Sequence, residues 1–83
     1  AEAEQLFEES LTLTIELQLP LQEAHSLNNL GLVKDYQNRY DESENYYIRS
    51  ISKYEEIGEA QSKENAEKNL ASMIENRDAS NVE

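Results

Sequence analysis

Residues Ala24–Ile57 read AHSLNNLGLVKDYQNRYDESENYYIRSISKYEEI. Two helical patterns stand back to back in this stretch, joined at Asn38-Arg39-Tyr40-Asp41. In the first, Leu21, Ala24, Leu27, Leu30, Gly31, Val33 and Tyr36 recur at helical spacing. Gly31 inside this helix costs roughly 1 kcal/mol relative to Ala. The spacing therefore predicts a neighbouring helix packed so close that a Cβ would clash. Asn38 suits the left-handed conformation that ends a helix. Asp41 then reads as an N-cap, with Glu44 completing an acidic capping box. The second pattern carries Ser43, Tyr46, Tyr47, Ser50, Ile51, Tyr54 and Ile57 on its inner side, and Gly58 is a good C-terminal stop.

Working outward, residues 1–18 place Ala3, Leu6, Phe7, Leu11, Ile15 and Leu17 on one apolar stripe. Glu2, Glu4, Glu8 and Glu9 crowd the first turns, where the helix dipole favours negative charge. Pro20 ends that helix and opens the next. Downstream, a fourth helix over about 60–77 turns Ala66, Leu70, Ala71, Met73 and Ile74 inward, and residues 78–83 form a polar, frayed tail. The prediction is one all-α domain over 1–83, with helices at about 1–18, 21–37, 41–57 and 60–77.

Composition agrees with that class and limits function. Two Gly and one Pro in 83 residues leave few turns and long elements. The chain has no Cys, hence no disulfide framework or thiolate chemistry, which fits a reducing, cytoplasmic setting. The acidic start has no signal-peptide pattern, and a beginning without Met fits a processed or excised piece. A net charge of −11 argues against nucleic acid and anionic membrane as partners. It favours a basic or apolar protein partner, or serves solubility alone.

Residue n matches residue n+40. Ala3 falls on Ser43, Phe7 on Tyr47, Leu11 on Ile51 and Leu17 on Ile57. In the other half Ser26 falls on Ala66, Gly31 on Ala71 and Val33 on Met73. Glu2/Glu42, Glu4/Glu44, Ser10/Ser50, Glu16/Glu56, Asn29/Asn69 and Leu30/Leu70 are identities. Such a period signals stacked supersecondary units that cannot bury their faces alone.

Leu27, Leu30, Gly31, Tyr40, Ser43, Tyr47 and Ser50 have the spacing of a tetratricopeptide repeat (TPR), which this chain resembles along nearly its whole length. Its period of 40, against about 34 in the commoner form, resembles the long-repeat branch of kinesin light chains, spindle-orientation adaptors and many bacterial regulators. Four departures stand out: Asn38 replaces the turn Gly, and Lys34 the Tyr after Gly31. No Pro follows the third helix, and Glu67 takes the place of a large apolar residue. The resemblance implies a right-handed α-solenoid fragment with helices in B-A-B-A order. One complete repeat then lies between two orphan halves. That order leaves three expectations open: a fragment of a longer array, self-association through the terminal helices into a homo-oligomer, or a closed four-helix bundle.

No catalytic or metal-binding constellation is present. His25 is the lone His, and there is no His-Glu-x-x-His, Gly-rich phosphate loop or Ca²⁺ loop. The reading is therefore no enzyme, no cofactor and no metal; the rival is a regulatory fragment of a larger protein. The resemblance places peptides on the face lined by the first-type helices. It gives Asn29 and Asn69 the role of an amide ladder that grips an extended backbone; the alternative is that they cap or bridge helices locally. Asn28, His25, Leu32, Asp35 and Tyr36 share the groove on one helix, and Asn65, Lys68, Ser72, Glu75 and Asn76 on the other. The clamp that some relatives use for a terminal carboxylate is not reproduced, since Asn28 and Leu32 occupy its Lys and Asn places. The expected function is protein–protein interaction through that groove, with Tyr46, Tyr47 and Tyr54 serving as packing.

Overall fold

The computed structural model describes residues 2–81 and contains α1 (Glu2–Glu16), α2 (Pro20–Tyr36), α3 (Tyr40–Ile57) and α4 (Ala60–Ser80). The three connections share one geometry at a spacing of twenty residues. Gln18, Asn38 and Gly58 adopt positive φ of 55°, 60° and 76°. After each, the next residue returns its N–H to the carbonyl five residues back: Leu19 to Thr14, Arg39 to Lys34, Glu59 to Tyr54, at 2.9, 2.9 and 3.0 Å. This is the Schellman closure of a helix end. The same three residues accept the first N–H of the following helix, from Glu23, Ser43 and Lys63.

That economy corrects the expected joint. Arg39 closes α2 and opens α3 at once, so the connection is Gln37-Asn38-Arg39 and the helix starts at Tyr40. Asp41 is thus not the N-cap, no side chain caps α3, and the capping box does not form. Asp41 and Glu42 instead lie in the first turn, where they favour the dipole. Helix α4 also runs past the expected end at 77. Tyr40 ties down its last turn through a 3.0 Å bond between its hydroxyl and Ser80 Oγ, and Arg77 reaches Glu44 at 3.5 Å. Of the expected tail, residues 82 and 83 lie outside the described residues, as does residue 1 at the start of the first helix.

Helix α2 is the hub. It packs on α1, on α3 and lightly on α4, and α3 packs on α4. Among the described residues no Cα of α1 comes within 8 Å of α3 or α4. A closed four-helix bundle would bring α1 and α4 together, so that alternative is excluded. The chain is an open slab of 45 × 29 × 14 Å. Its core is Ala24, Leu27, Leu30, Tyr47, Tyr54, Ala66 and Met73. Gly31 meets its expected neighbour: a Cβ there would lie 2.6 Å from Tyr47 Cε1. Ser43 and Ser50 donate to the carbonyls of Gly31 and Ala24 at 2.7 and 2.8 Å, fixing the α2–α3 approach.

The flanks depart from expectation. Ala3, Leu6, Ile15 and Leu17 are exposed, and only Phe7 and Leu11 of the predicted stripe are half-buried. The reason is that, among the described residues, α1 packs on α2 alone. Ala71 is exposed on α4, and Tyr36 is 90% exposed.

Lys34, a departure from the family pattern, is buried. Its Nζ donates to Glu4 Oε2 at 2.6 Å, and Gln37 Nε2 donates to Glu4 Oε1 at 2.6 Å. Those two bonds, first Lys34 and then Gln37, hold the Glu4 carboxyl at about 2. A cross-helix ion pair between α1 and α2 thus fills the place of an aromatic.

Candidate functional site

The two first-type helices, α2 and α4, face each other across a shallow groove. Two polar rungs cross it. Asn69 Nδ2 donates to Asn28 Oδ1 at 3.2 Å. Two turns further on, Asn76 Nδ2 donates to the Asp35 carboxylate at 3.4 Å from each oxygen. Each rung joins residues 41 apart, because facing helices meet edge to edge.

This geometry re-sorts the predicted amides. Asn69 meets Asn28, and Asn29 is not its partner. Ser26 shows why: its hydroxyl bonds Ser10 Oγ of α1 at 3.1 Å. Asn29, one turn on, lies on that same α1 side of the helix. Asn29 and Asn69 hold equivalent places in the repeat, and Asn69 reaches back to α2. Asn29 is half-buried, as are Asn28 and Asn69.

The rung leaves hydrogen-bonding capacity open. An amide offers two N–H donors and a carbonyl. Among the described residues only one donor of Asn69 and one lone pair of Asn28 are used. Asn28 Nδ2 and Asn69 Oδ1 have no partner among the described residues and are not buried, so these two groups reach solvent.

Of the other predicted groove residues, Leu32, Asp35, Tyr36 and Asn76 line one cleft, and His25, Asn65, Lys68 and Ser72 do not line it. His25 is exposed and its Nδ1 shares a hydrogen bond with the Tyr54 hydroxyl, which rises from α3 beneath. Burial pushes the Tyr54 hydroxyl above its ordinary range. Leu32 and Tyr36 stand exposed on α2; Asn65, Lys68 and Ser72 stand exposed on α4. Asn65 accepts from Gln61, and Lys68 pairs with Glu64 along the helix. Below the Asp35–Asn76 rung a cleft of 580 Å³ opens between the helix ends. Tyr40 and Ser80 line it and were not predicted for the groove. Their role depends on α4 continuing past 77, which no stop signal in the sequence announced. Among the described residues no group of His, Cys, Asp and Glu is arranged to hold a metal, and no helix is long and apolar enough to cross a membrane.

Comparison with curated proteins and with solved structures gave no match. The family model described as tetratricopeptide repeat matches residues 1–56, from the start of the chain to the end of α3. That span is more than half of the sequence and contains the Gly31–Tyr47 contact and the serine bonds that set the helix spacing. Together with the open array of paired helices, the match shows that the chain belongs to the tetratricopeptide repeat family.

Proposed function

We propose that this protein-interaction module holds an extended peptide in the groove between α2 and α4. One observation carries the reading. The Asn28–Asn69 rung presents unused amide donors beside an unused amide carbonyl, the two groups a peptide backbone requires. Backbone pairing tolerates varied side chains, and the net charge of −11 steers basic partners toward the surface. The test uses a synthetic peptide recovered from a random-peptide display library. Replacing both Asn28 and Asn69 by Ala removes bonds worth about 1 kcal/mol each, so affinity falls roughly tenfold or more. Unchanged affinity would end the proposal.

A second reading rests on a different surface. Leu6, Leu13 and Leu17 of α1 and its end are 58%, 54% and 58% exposed. An apolar strip of this kind fits self-association through a terminal helix. Light scattering across concentration decides it: a monomer at every concentration removes the reading, and a Leu13→Glu variant dissociates any oligomer built on it.

A further inference from the structure

The cleft at the lower end of the groove has a chemistry the amide rung does not explain. Leu32, Asp35 and Tyr36 line one side, Asn76 and Ser80 the other, and Tyr40 its end. Tyr40 is itself committed, donating to Asn38 Oδ1 at 2.9 Å and bonding Ser80 Oγ. Asp35 is half-buried, and among the described residues it forms no ion pair with any Lys or Arg. Its partner is a neutral amide at the long distance of 3.4 Å. Every lysine and arginine within these helices forms an ion pair elsewhere: Lys34 with Glu4, Lys63 with Glu55, Lys68 with Glu64, Arg77 with Glu44. Beside this unneutralised carboxylate stands Tyr36, with 90% of its surface in water. An aromatic ring that exposed gains nothing from its own fold. Leu32, also exposed, adds an apolar wall.

A carboxylate, a free ring and an apolar wall around one cleft match one kind of side chain: a long aliphatic stem ending in a cation. We infer that this cleft is a subsite for a Lys or Arg side chain of the bound peptide. The stem lies along Leu32, the cation sits between the Asp35 carboxylate and the Tyr36 ring, and Asn76 orients the carboxylate. The inference rests on the groove reading above and names the partner's chemistry: an extended segment with a basic residue about two helical turns from its contact with the Asn28–Asn69 rung.

Display selection against the wild type returns peptides enriched in Lys or Arg. A recovered peptide binds about tenfold more weakly when that residue becomes norleucine, the combined effect of an exposed ion pair and a cation–π contact. With Asp35→Asn that discrimination falls to the few-fold left by the Tyr36 ring, while the norleucine peptide binds as well as before. Glu16→Gln, which changes the net charge equally but lies on α1, keeps the full discrimination. Equal loss in both variants, or selected peptides without a basic residue, overturns the subsite. The Asn28→Ala/Asn69→Ala protein separates the two ideas: if it binds the peptide unchanged and still discriminates through Asp35, the amide rung fails and the subsite stands. A library that returns no binding peptide overturns both.

Discussion

The middle of the chain and its two ends are built from the same parts and differ in fate. Helices α2 and α3 bury Gly31 against the Tyr47 ring. One period away, Ala71 on α4 lies in solvent and Phe7 on α1 is only half-buried. The turns on both sides are the same, with positive φ at Gln18, Asn38 and Gly58. Local sequence therefore sets the helix ends, and the presence of a neighbouring helix sets burial. A repeat position acquires its energetic weight from the unit stacked on it.

The largest effect expected from this contrast is at the aromatic pair. Tyr47→Ala removes a fully buried ring and costs about 3–5 kcal/mol. A chain of this size holds roughly 4–12 kcal/mol in total, so the variant is near unfolding. Phe7→Ala, at the equivalent half-buried place, costs about 1–2 kcal/mol. Urea denaturation compares the two, and equal losses would contradict the contrast. Tyr47→Phe sharpens it, because the buried Tyr47 hydroxyl has no hydrogen-bond partner among the described residues. Its removal leaves stability unchanged or raises it by up to about 1 kcal/mol.

Next in size is the glycine pair. Gly31→Ala adds a methyl 2.6 Å from a buried ring that cannot swing away. Overpacking of about 1–3 kcal/mol outweighs a helix-propensity gain of about 1 kcal/mol. At Ala71 the opposite change, Ala71→Gly, costs only the propensity, about 1 kcal/mol, with no packing change. Thermal melts read the signs: Ala is worse than Gly at 31 and better than Gly at 71.

The turns give smaller shifts. Gln18 holds a left-handed conformation that side chains disfavour, so Gln18→Gly stabilises by about 1 kcal/mol, and Asn38→Gly does less because Asn tolerates this region. Gly58→Ala loses about 1 kcal/mol at the third turn. The smallest effect is a pH dependence. Glu4 titrates near 2 in the fold against 4.5 as its ordinary value. Its contribution is complete above about 4.5 and is lost as pH falls toward about 2, when the protonated acid gives up Lys34 and Gln37. Glu4→Gln is therefore less stable than wild type at neutral pH, and the two curves converge in acid. A difference that grows as pH falls would contradict the pairing.

These outcomes also mark how far sequence reading reaches. The four helices, the period of 40, the close approach at Gly31 and the left-handed Asn38 are all visible because each follows from local residue chemistry. The sequence predicts more burial on α1 than the fold shows, because Leu6, Phe7, Leu11, Ile15 and Leu17 recur at helical spacing. A stripe states what a helix would bury and not whether a partner helix exists. Gln18 escaped notice because Pro20 already explained the break. Lys34 read as a departure because its partner, Glu4, is thirty residues away on another helix. Helical spacing groups Leu32, Asp35, Tyr36 and Asn76, which line one cleft. The pairing of Asn69 with Asn28 was not legible, since it depends on which edges of α2 and α4 meet.

The most direct test is a backbone-amide NMR titration of the labelled chain with a peptide recovered by display. Groove binding moves the resonances of His25, Asn28, Leu32 and Asp35 on α2 together with Asn65, Asn69 and Asn76 on α4. Shifts confined to Leu6, Leu13 and Leu17 on α1, with the α2–α4 face silent, would contradict it.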